Sequence, residues 1–266
     1  MKGTVTFTNL GRMGRLGNQL FQIAAVIGLA KKTGMDYYFP KWEFTSYTRC
    51  DANKFGNILS PSVVYQELDF GYNEIIIPPD FNGILDLFGY FQTDKYFHHI
   101  EDHIREIFSP SKDVEEIVNK EILASGITGE FISLHVRRGD YLSQSDYYSI
   151  LDMDYYKKAL GKLPKNLPVL VFSDDPQWIS DNFRDDRFIL KKRTNQFFNS
   201  DKTDFIDLSV MSKGSHFIMA NSSYSWWASW LSRNPEKIVV IPNSWFGPRF
   251  SGKNTSDIYC GDWIKI

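Results

Sequence analysis

The chain has 266 residues, 42% of them hydrophobic and 23% charged, and its formal net charge at pH 7 is −2. This composition is typical of a globular protein, and the length allows one large domain or two small ones. The acidic balance argues against a general nucleic-acid binder, whose domain is usually basic. Any polyanion that the chain binds must therefore meet a local cluster of positive charge.

The sequence gives no sign of secretion or membrane insertion. Its two cysteines, Cys50 and Cys260, cannot form a disulfide framework or a four-ligand zinc site. The first residues are too polar for the apolar region of a signal peptide, and no apolar run approaches the roughly 20 residues of a membrane span. We therefore expect a cytoplasmic protein without a membrane span.

Short apolar runs alternate with helical patterns along the chain, which predicts an α/β fold. The predicted strands cover residues 4–8, 36–39, 83–91, 131–136, 167–175, 215–223 and, as the last strand, 237–242. The predicted helices cover residues 19–32, 94–108 and about 113–124. A boundary between the last of these helices and the next strand predicts two halves, residues 1–125 and 126–266.

A glycine-rich stretch, GRMGRLGNQLFQ, lies between the first strand and the first helix at residues 11–22. Such a loop can offer backbone N–H groups to an anion. Its glycine spacing matches neither the dinucleotide-binding pattern nor the phosphate-loop pattern. The alternative is a tight strand-to-helix turn with Asn18 near the helix cap. In both interpretations Arg15 and Asn18 are placed to face a cleft.

The stretch HVRRGDY, residues 135–141, follows a buried apolar run. Alternation along a strand puts His135 and Arg137 on one face and Arg138 on the other. A guanidinium at the carboxyl end of a strand suits a phosphate or a carboxylate, and Asp140 is close enough in sequence to orient one. An ion pair that ties down a loop is the alternative. We favour an anion site with Arg137 as its main contact, and we predict that Arg138, with Asp140 near it, is mostly structural.

The Asp-x-Asp pattern of LDMDYY, residues 151–156, is one that many glycosyltransferases use to hold a divalent metal. Here it opens a helical run, so helix capping explains Asp152 and Asp154 more simply. We therefore assign no metal site to these residues.

Two further stretches place polar groups at the ends of predicted strands. In FSDDPQW, a carboxylate of Asp174 or Asp175 could pair with the N–H edge of a guanine or with ribose hydroxyls, and helix capping is an equal alternative. In ANSSYSWWASWLS, Asn221, Ser222 and Ser223 lie where a strand gives way to a helix, which favours an anion or a simple cap. The tryptophans of that stretch are predicted to pack in the core.

Five stretches in this order, GRLGNQLFQ, GYFQTDKYF, HVRRGDY, FSDD and NSSYSWWASWL, resemble the α-1,2-fucosyltransferase family, glycosyltransferase family 11. The order HxRRxD, SDD and NSS is also similar to the α1,6- and protein O-fucosyltransferases. The resemblance implies a GT-B-like α/β architecture of two Rossmann-type halves facing a central cleft. It implies GDP-fucose bound in the second half, a galactose-terminated oligosaccharide as acceptor, an inverting reaction and no metal cofactor.

The resemblance also implies roles for the candidate side chains: phosphate contact by Arg137, ribose or pyrophosphate contact by His135, and sugar and leaving-group contacts from the first half. The implied catalytic residues are Arg137, Asn18 and Arg15. The implied donor-binding residues are His135, Arg138, Asp140, Ser173, Asp174, Asp175, Asn221, Ser222 and Ser223.

A single displacement also needs a base for the acceptor hydroxyl, and no carboxylate is marked for this role by its spacing. The leaving phosphate is one candidate. Two other functions are compatible with the same donor residues. One is a protein or core-glycan fucosyltransferase, and the other is a nucleotide-sugar-binding protein without catalysis.

Overall fold

The computed structural model describes residues 3–57, 60–191 and 203–266. The described residues form two compact units. The first comprises the chain up to Ser111 together with Lys253–Cys260, and the second comprises Lys112–Gly252 and Gly261–Ile266. Each unit has its own parallel β-sheet, which confirms the α/β prediction.

The sheet of the first unit has four described strands in the order β2-β1-β6-β5, all of them parallel. The long helix that follows β1 is apolar almost all round, and it is buried along most of its length. The elements of this unit are β1 Thr4–Thr6, α1 Leu16–Thr33, β2 Asp36–Tyr37, the pair β3 Phe39–Pro40 and β4 Phe55–Gly56, β5 Val63–Gln66, β6 Ile84–Phe88 and α2 Glu101–Ile107.

The sheet of the second unit has six described strands in the order β12-β11-β10-β7-β8-β9, again all parallel. Every residue of its central strand β7 is buried, as expected where helices cover both faces of a parallel sheet. The elements are α3 Lys112–Ala124, β7 Ile132–Val136, α4 Met153–Leu160, β8 Val169–Ser173, α5 Pro176–Asn182, β9 Phe188–Leu190, α6 Thr203–Ser212, β10 His216–Ile218, α7 Ser223–Leu231, β11 Val239–Ile241 and β12 Ile264–Lys265.

Two sequence predictions of secondary structure are wrong. The run 94–108 is not one helix, because short 3-10 turns precede α2. Strand 237–242 is not the last, since β12 pairs with β11 near the C-terminus. The structure also has β4, β5 and β9, which lie outside every predicted strand.

The helix α3 clusters with the second unit, whereas the sequence boundary at residue 125 assigned it to the first half. A buried ion pair joins it to this unit. Glu121 of α3 accepts a hydrogen bond from the buried Lys191 at 2.7 Å, beside Asp207 of α6. Within the described ranges, no helix is long and apolar enough to cross a membrane.

Candidate functional site

The strand order of the second sheet predicts where a ligand binds. From β7 the chain proceeds to β8 and β9 on one side, and β10 to β12 continue on the other side. In open parallel sheets, ligands bind beyond the carboxyl ends of the strands at this reversal point. Residues 137–140 follow β7, and residues 221–223 follow β10. The reversal point therefore brings together two of the stretches that the sequence singled out.

Arg137 lies at this point between two carboxylates. Its guanidinium donates to Asp140 through one terminal nitrogen and to Asp174 through the other, and its side chain is only 15% exposed. The sequence analysis placed Asp140 with Arg138, whereas the structure pairs its carboxylate with Arg137. The strand ends at Val136, and the 3-10 turn Asp140–Gln144 begins directly after Gly139, which brings Asp140 to Arg137.

Arg138 is held by other groups. Its backbone N–H donates to Asp174 Oδ1 at 2.9 Å, and its Nε donates to Asp175 Oδ2 at 3.1 Å. The guanidinium lies over the ring of Trp178, with 4.5 Å between its central carbon and the ring centroid. Arg138 is therefore fixed by an ion pair and by stacking.

The stretch after β8 supports these arginines and starts a helix. Asp175 accepts the N–H of Trp178 at 3.1 Å and so caps α5, which confirms the capping interpretation. Ser173 Oγ accepts the N–H of Asp175 at 2.9 Å. Asp174 contacts both arginines. In this structure the two carboxylates therefore hold arginine side chains and a helix end.

Gly139 is needed because Asp174 approaches the chain closely at this position. A Cβ atom at residue 139 would lie 2.6 Å from Asp174 Oδ2, which is too close for any side chain. Glycine thus lets the carboxylate reach Arg137 and the N–H of Arg138.

The end of β10 contributes a clamp and a helix start. Asn221, 1% exposed, donates through its side-chain nitrogen to the carbonyls of Ser149 and Trp245, each at 2.9 Å. Ser222 Oγ accepts the N–H of Tyr224 at 3.3 Å and caps α7, where the half-buried Ser223 is the first helical residue. The capping alternative is therefore confirmed for Ser222.

The tryptophans of α7 lie in the core, as predicted, with Trp226, Trp227 and Trp230 all at most 3% exposed. Their indole rings pack against one another at centroid distances of 5.1–6.0 Å. They leave the polar start of α7 as the part of this stretch that lies near the sheet edge.

His135 lies beneath this edge as a neutral side chain. It is 7% exposed, and its ring centroid is 5.6 Å from that of Tyr224. Burial lowers the pKa of His135 to about 3, and the positive charge of Arg137 acts in the same direction. Among the described residues, none forms a hydrogen bond with His135 Nδ1.

In the first unit the reversal point lies between β1 and β6. The glycine-rich loop that follows β1 turns at Gly14, whose φ of +81° favours glycine. Exposed Arg15 occupies the cap position of α1, so the expectation of Asn18 near the cap is shifted to the first helical turn. Asn18 Oδ1 accepts a hydrogen bond from Gln92 Nε2 at 2.7 Å. Gln22 donates to the carbonyl of Met13 at 3.0 Å and holds the loop.

Asp152 has a structural task. Its Oδ1 accepts the N–H of Tyr155 at 3.0 Å and caps α4, which confirms the capping interpretation of the Asp-x-Asp pattern. In the part of the chain that the structure describes, no three His, Cys, Asp or Glu side chains cluster in a way that could hold a metal ion.

Sequence reasoning missed three residues that complete these sites. Tyr141 lies under Arg137, 5.2 Å from ring centroid to guanidinium carbon, and its hydroxyl donates to the carbonyl of Asn221 at 3.1 Å. Trp178 stacks on Arg138, and Gln92 contacts Asn18. All three lie within the sequence stretches quoted above. An aromatic or amide residue close to the charged positions is the signal that could have identified them.

The fold is shared with solved fucosyltransferase structures. The α-1,6-fucosyltransferase NodZ soaked with GDP-fucose matches 87% of this chain and 93% of its own, with a TM-score of 0.57 and 14% identity. POFUT1 in complex with GDP matches 90% and 98%, with a TM-score of 0.56 and 13% identity. The protein therefore has the GT-B fold of glycosyltransferases, built from two Rossmann-type units, as predicted.

The family follows from sequence. The model of the family described as Glycosyl transferase family 11 matches residues 84–266. The O-antigen biosynthesis glycosyltransferase WbnK of Escherichia coli is 32% identical over 194 residues, which are 68% of this chain and 60% of WbnK. The galactoside α-(1,2)-fucosyltransferase 2 of Oryctolagus cuniculus is 25% identical over 275 residues, 91% of this chain and 75% of its own. The chain belongs to glycosyl transferase family 11, which confirms the resemblance noted above.

An α-1,2-colitosyltransferase of Escherichia coli is 29% identical over 204 residues, 69% of this chain and 63% of its own. The matched part of the chain thus spans less than two thirds of the length of WbnK and of the α-1,2-colitosyltransferase.

Proposed function

We propose that the protein transfers L-fucose from GDP-fucose to the 2-hydroxyl of a terminal β-galactoside, with inversion at the anomeric carbon and without a metal ion. The observation that carries the proposal is Arg137, held by two carboxylates at the reversal point of a Rossmann-type sheet in a family 11 chain. Relatives named as galactoside α-(1,2)-fucosyltransferases support the choice of sugar and linkage.

The chemistry needs positive charge at the leaving group. As the bond between the fucose anomeric carbon and the β-phosphate oxygen breaks, its electron pair stays on GDP and the sugar becomes oxocarbenium-like. A guanidinium has five N–H donors in a rigid fork, which suits the oxygens of a diphosphate. We assign this contact to Arg137, and loss of one such donor typically lowers the rate about 10²–10³-fold.

The carboxylates beside Arg137 prepare it for this contact. An arginine that must be reoriented during reaction stabilises charge poorly, whereas one fixed in advance does not lose free energy on reorganisation. Asp140 and Asp174 engage different terminal nitrogens of the guanidinium and so fix its plane. The start of α7, at Ser222 and Ser223, adds the positive end of a helix dipole for the same diphosphate.

Neutral His135 fits a hydrogen-bonding task beside the donor. Its low pKa keeps a proton off the second ring nitrogen at physiological pH, so it offers one donor and one acceptor and no positive charge. The acceptor 2-hydroxyl attacks the anomeric carbon from the opposite face and gives its proton to a base. The departing phosphate lies on the other face of the sugar, out of direct reach of this proton, so we propose that the proton passes to solvent water. Every carboxylate of the arginine cluster, which comprises Arg137, Arg138, Asp140, Asp174 and Asp175, is already engaged by an arginine.

A second donor sugar is favoured by one comparison. The α-1,2-colitosyltransferase of Escherichia coli is similar over a large part of this chain, and colitose is a deoxygenated relative of L-fucose. The same arginine cluster would serve either GDP-sugar, because it would contact the diphosphate and not the sugar.

The test is a transfer assay with purified protein, GDP-fucose or GDP-colitose, and lactose, N-acetyllactosamine or methyl β-D-galactoside, each with and without EDTA. We expect GDP release that depends on acceptor and resists EDTA, and an α-1,2 linkage by NMR. Activity abolished by EDTA would refute metal independence. Transfer of colitose alone would show that the donor is GDP-colitose and not GDP-fucose. Binding of GDP-fucose without transfer to any galactoside, peptide or core glycan would favour a non-catalytic binding protein.

A further inference from the structure

The loop that follows β6 in the first unit has a strained backbone. Phe91 has a φ of +52°, and it is the one non-glycine residue with positive φ in the described part of the chain. Bulky residues rarely adopt this conformation, and where it persists it is held by the surroundings and clusters at functional sites. The strained conformation therefore marks this loop as a candidate functional site.

Two sets of contacts hold the loop in place. The carboxylate of Glu67, just beyond β5, accepts the N–H of Tyr90 at 2.6 Å through one oxygen and the N–H of Phe91 at 2.8 Å through the other. The Phe91 ring is fully buried and packs edge-on against Phe7 and Tyr96, with centroids 6.5 and 5.2 Å away. The backbone is thus fixed from the strand side and from the core side.

The anchored loop presents two side chains at the sheet edge. Tyr90, one residue before the buried ring, is 37% exposed. Gln92, one residue after it, donates to Asn18 Oδ1 across the reversal point between β6 and β1. An aromatic ring and a pair of amide side chains therefore share the carboxyl edge of the first sheet.

These groups have the chemistry of a sugar-binding subsite. Amides donate and accept hydrogen bonds, as hydroxyl groups do, and an aromatic face packs against the C–H side of a pyranose. Tyr90, Gln92 and Asn18 carry no charge, so the set does not suit a phosphate.

We infer that Tyr90, Gln92 and Asn18 form the subsite for the acceptor galactose, with Glu67 as the positioning residue of the loop. The inference rests on the proposed function and adds the residues that select the acceptor. Glu67 acts through the backbone of Tyr90 and Phe91 and does not touch the sugar.

The test separates acceptor binding from donor binding. Burial raises the pKa of Glu67 to about 7, and the charge of Asp69 acts in the same direction, so assays are run near pH 8 to keep the carboxylate ionised. The variants are Tyr90→Ala, Tyr90→Phe, Glu67→Gln and, as control for a truncated exposed side chain of the same unit, Ile76→Ala, which is 85% exposed in the native chain. For each variant we measure GDP affinity by calorimetry, lactose binding by saturation-transfer NMR, and KM and kcat for lactose.

We expect Tyr90→Ala to raise the KM for lactose about tenfold, as for loss of one well-packed aromatic contact, with GDP affinity unchanged. Tyr90→Phe keeps the ring and should raise KM less. Glu67→Gln offers one oxygen for two N–H groups, so we expect the same selective rise in KM. Ile76→Ala should match the native protein in every measurement.

Each result bears on one claim. Native-like lactose binding and KM in Tyr90→Ala would overturn the subsite, as would a native protein that binds no galactoside in the NMR experiment. A Glu67→Gln variant that loses GDP affinity or kcat as much as acceptor affinity would overturn the positioning role. Failure of the proposed function has another signature, lactose binding that depends on Tyr90 without any transfer from GDP-fucose.

Discussion

Replacement of Asp174 by asparagine tests whether the arginine cluster is organised by its carboxylates. Asp174 accepts hydrogen bonds from the Arg137 guanidinium and from the N–H of Arg138, and its side chain is 22% exposed. Asparagine has one side-chain oxygen, which can still accept the N–H of Arg138. Its N–H₂ group then faces Arg137 in place of the second carboxylate oxygen. The change therefore removes one charge-assisted contact with little change in volume.

The magnitude follows from burial. A hydrogen bond to a charged group contributes about 1.5–3 kcal/mol, and both side chains are largely shielded from water. We expect Asp174→Asn to lower the free energy of unfolding by about 2 kcal/mol, which corresponds to a Tm lower by roughly 4–8 °C for a unit of this size. We also expect fucosyl transfer to fall roughly 10- to 100-fold, less than the loss of a whole donor, because Asp140 still holds Arg137.

The assays are thermal unfolding by circular dichroism and the initial rate of GDP release with lactose. Asp186→Asn is the matched control, since Asp186 is an exposed carboxylate of the same unit. A Tm and a rate for Asp174→Asn that both equal those of the control would refute the claim that Asp174 orients Arg137.

Two further predictions concern the same edge. Gly139→Ala places a Cβ 2.6 Å from Asp174 Oδ2, so the carboxylate must shift, and we expect the transfer rate to fall while Gly129→Ala, which meets no atom within 4 Å, keeps the native rate in the same assay. His135 has a pKa of about 3 in the folded chain and about 6.5 in the unfolded chain. Below pH 6.5 the unfolded chain therefore binds a proton that the folded chain excludes, and stability decreases as the pH decreases. The loss of unfolding free energy reaches about 2–3 kcal/mol near pH 4.5. Urea unfolding at pH 4.5 and above pH 6.5 should therefore show a smaller acid loss of stability in His135→Gln than in the native protein. Equal acid losses in the two proteins would contradict this account of His135.

The sequence predicted the strands that organise the candidate site because buried parallel strands are continuous apolar runs. β7 and β8 lie within the predicted runs for this reason. β12 escaped prediction because it has two exposed residues and no apolar run. The fold class therefore followed from the central strands, whereas the edge strands depended on pairing that no local pattern encodes.

The candidate residues could be located from sequence, but their partners could not. Strand alternation ends with β7 at Val136, so it gave the wrong partner for Asp140 once the chain entered a 3-10 turn. The bonds from Tyr90 and Phe91 to Glu67 join residues more than 20 positions apart, and no spacing marks them. Such contacts arise from tertiary packing and require the structure.

The central claim is that Arg137 stabilises the charge on the departing diphosphate. The direct test is kcat for transfer of fucose from GDP-fucose to lactose by Arg137→Ala and Arg137→Lys, with Arg184→Ala as the control because Arg184 is an exposed arginine of the same unit. We predict kcat about 10²–10³-fold below native for Arg137→Ala, a smaller loss for Arg137→Lys, and a native value for the control. A kcat for Arg137→Ala equal to that of the control, in protein with native circular dichroism, would contradict the account.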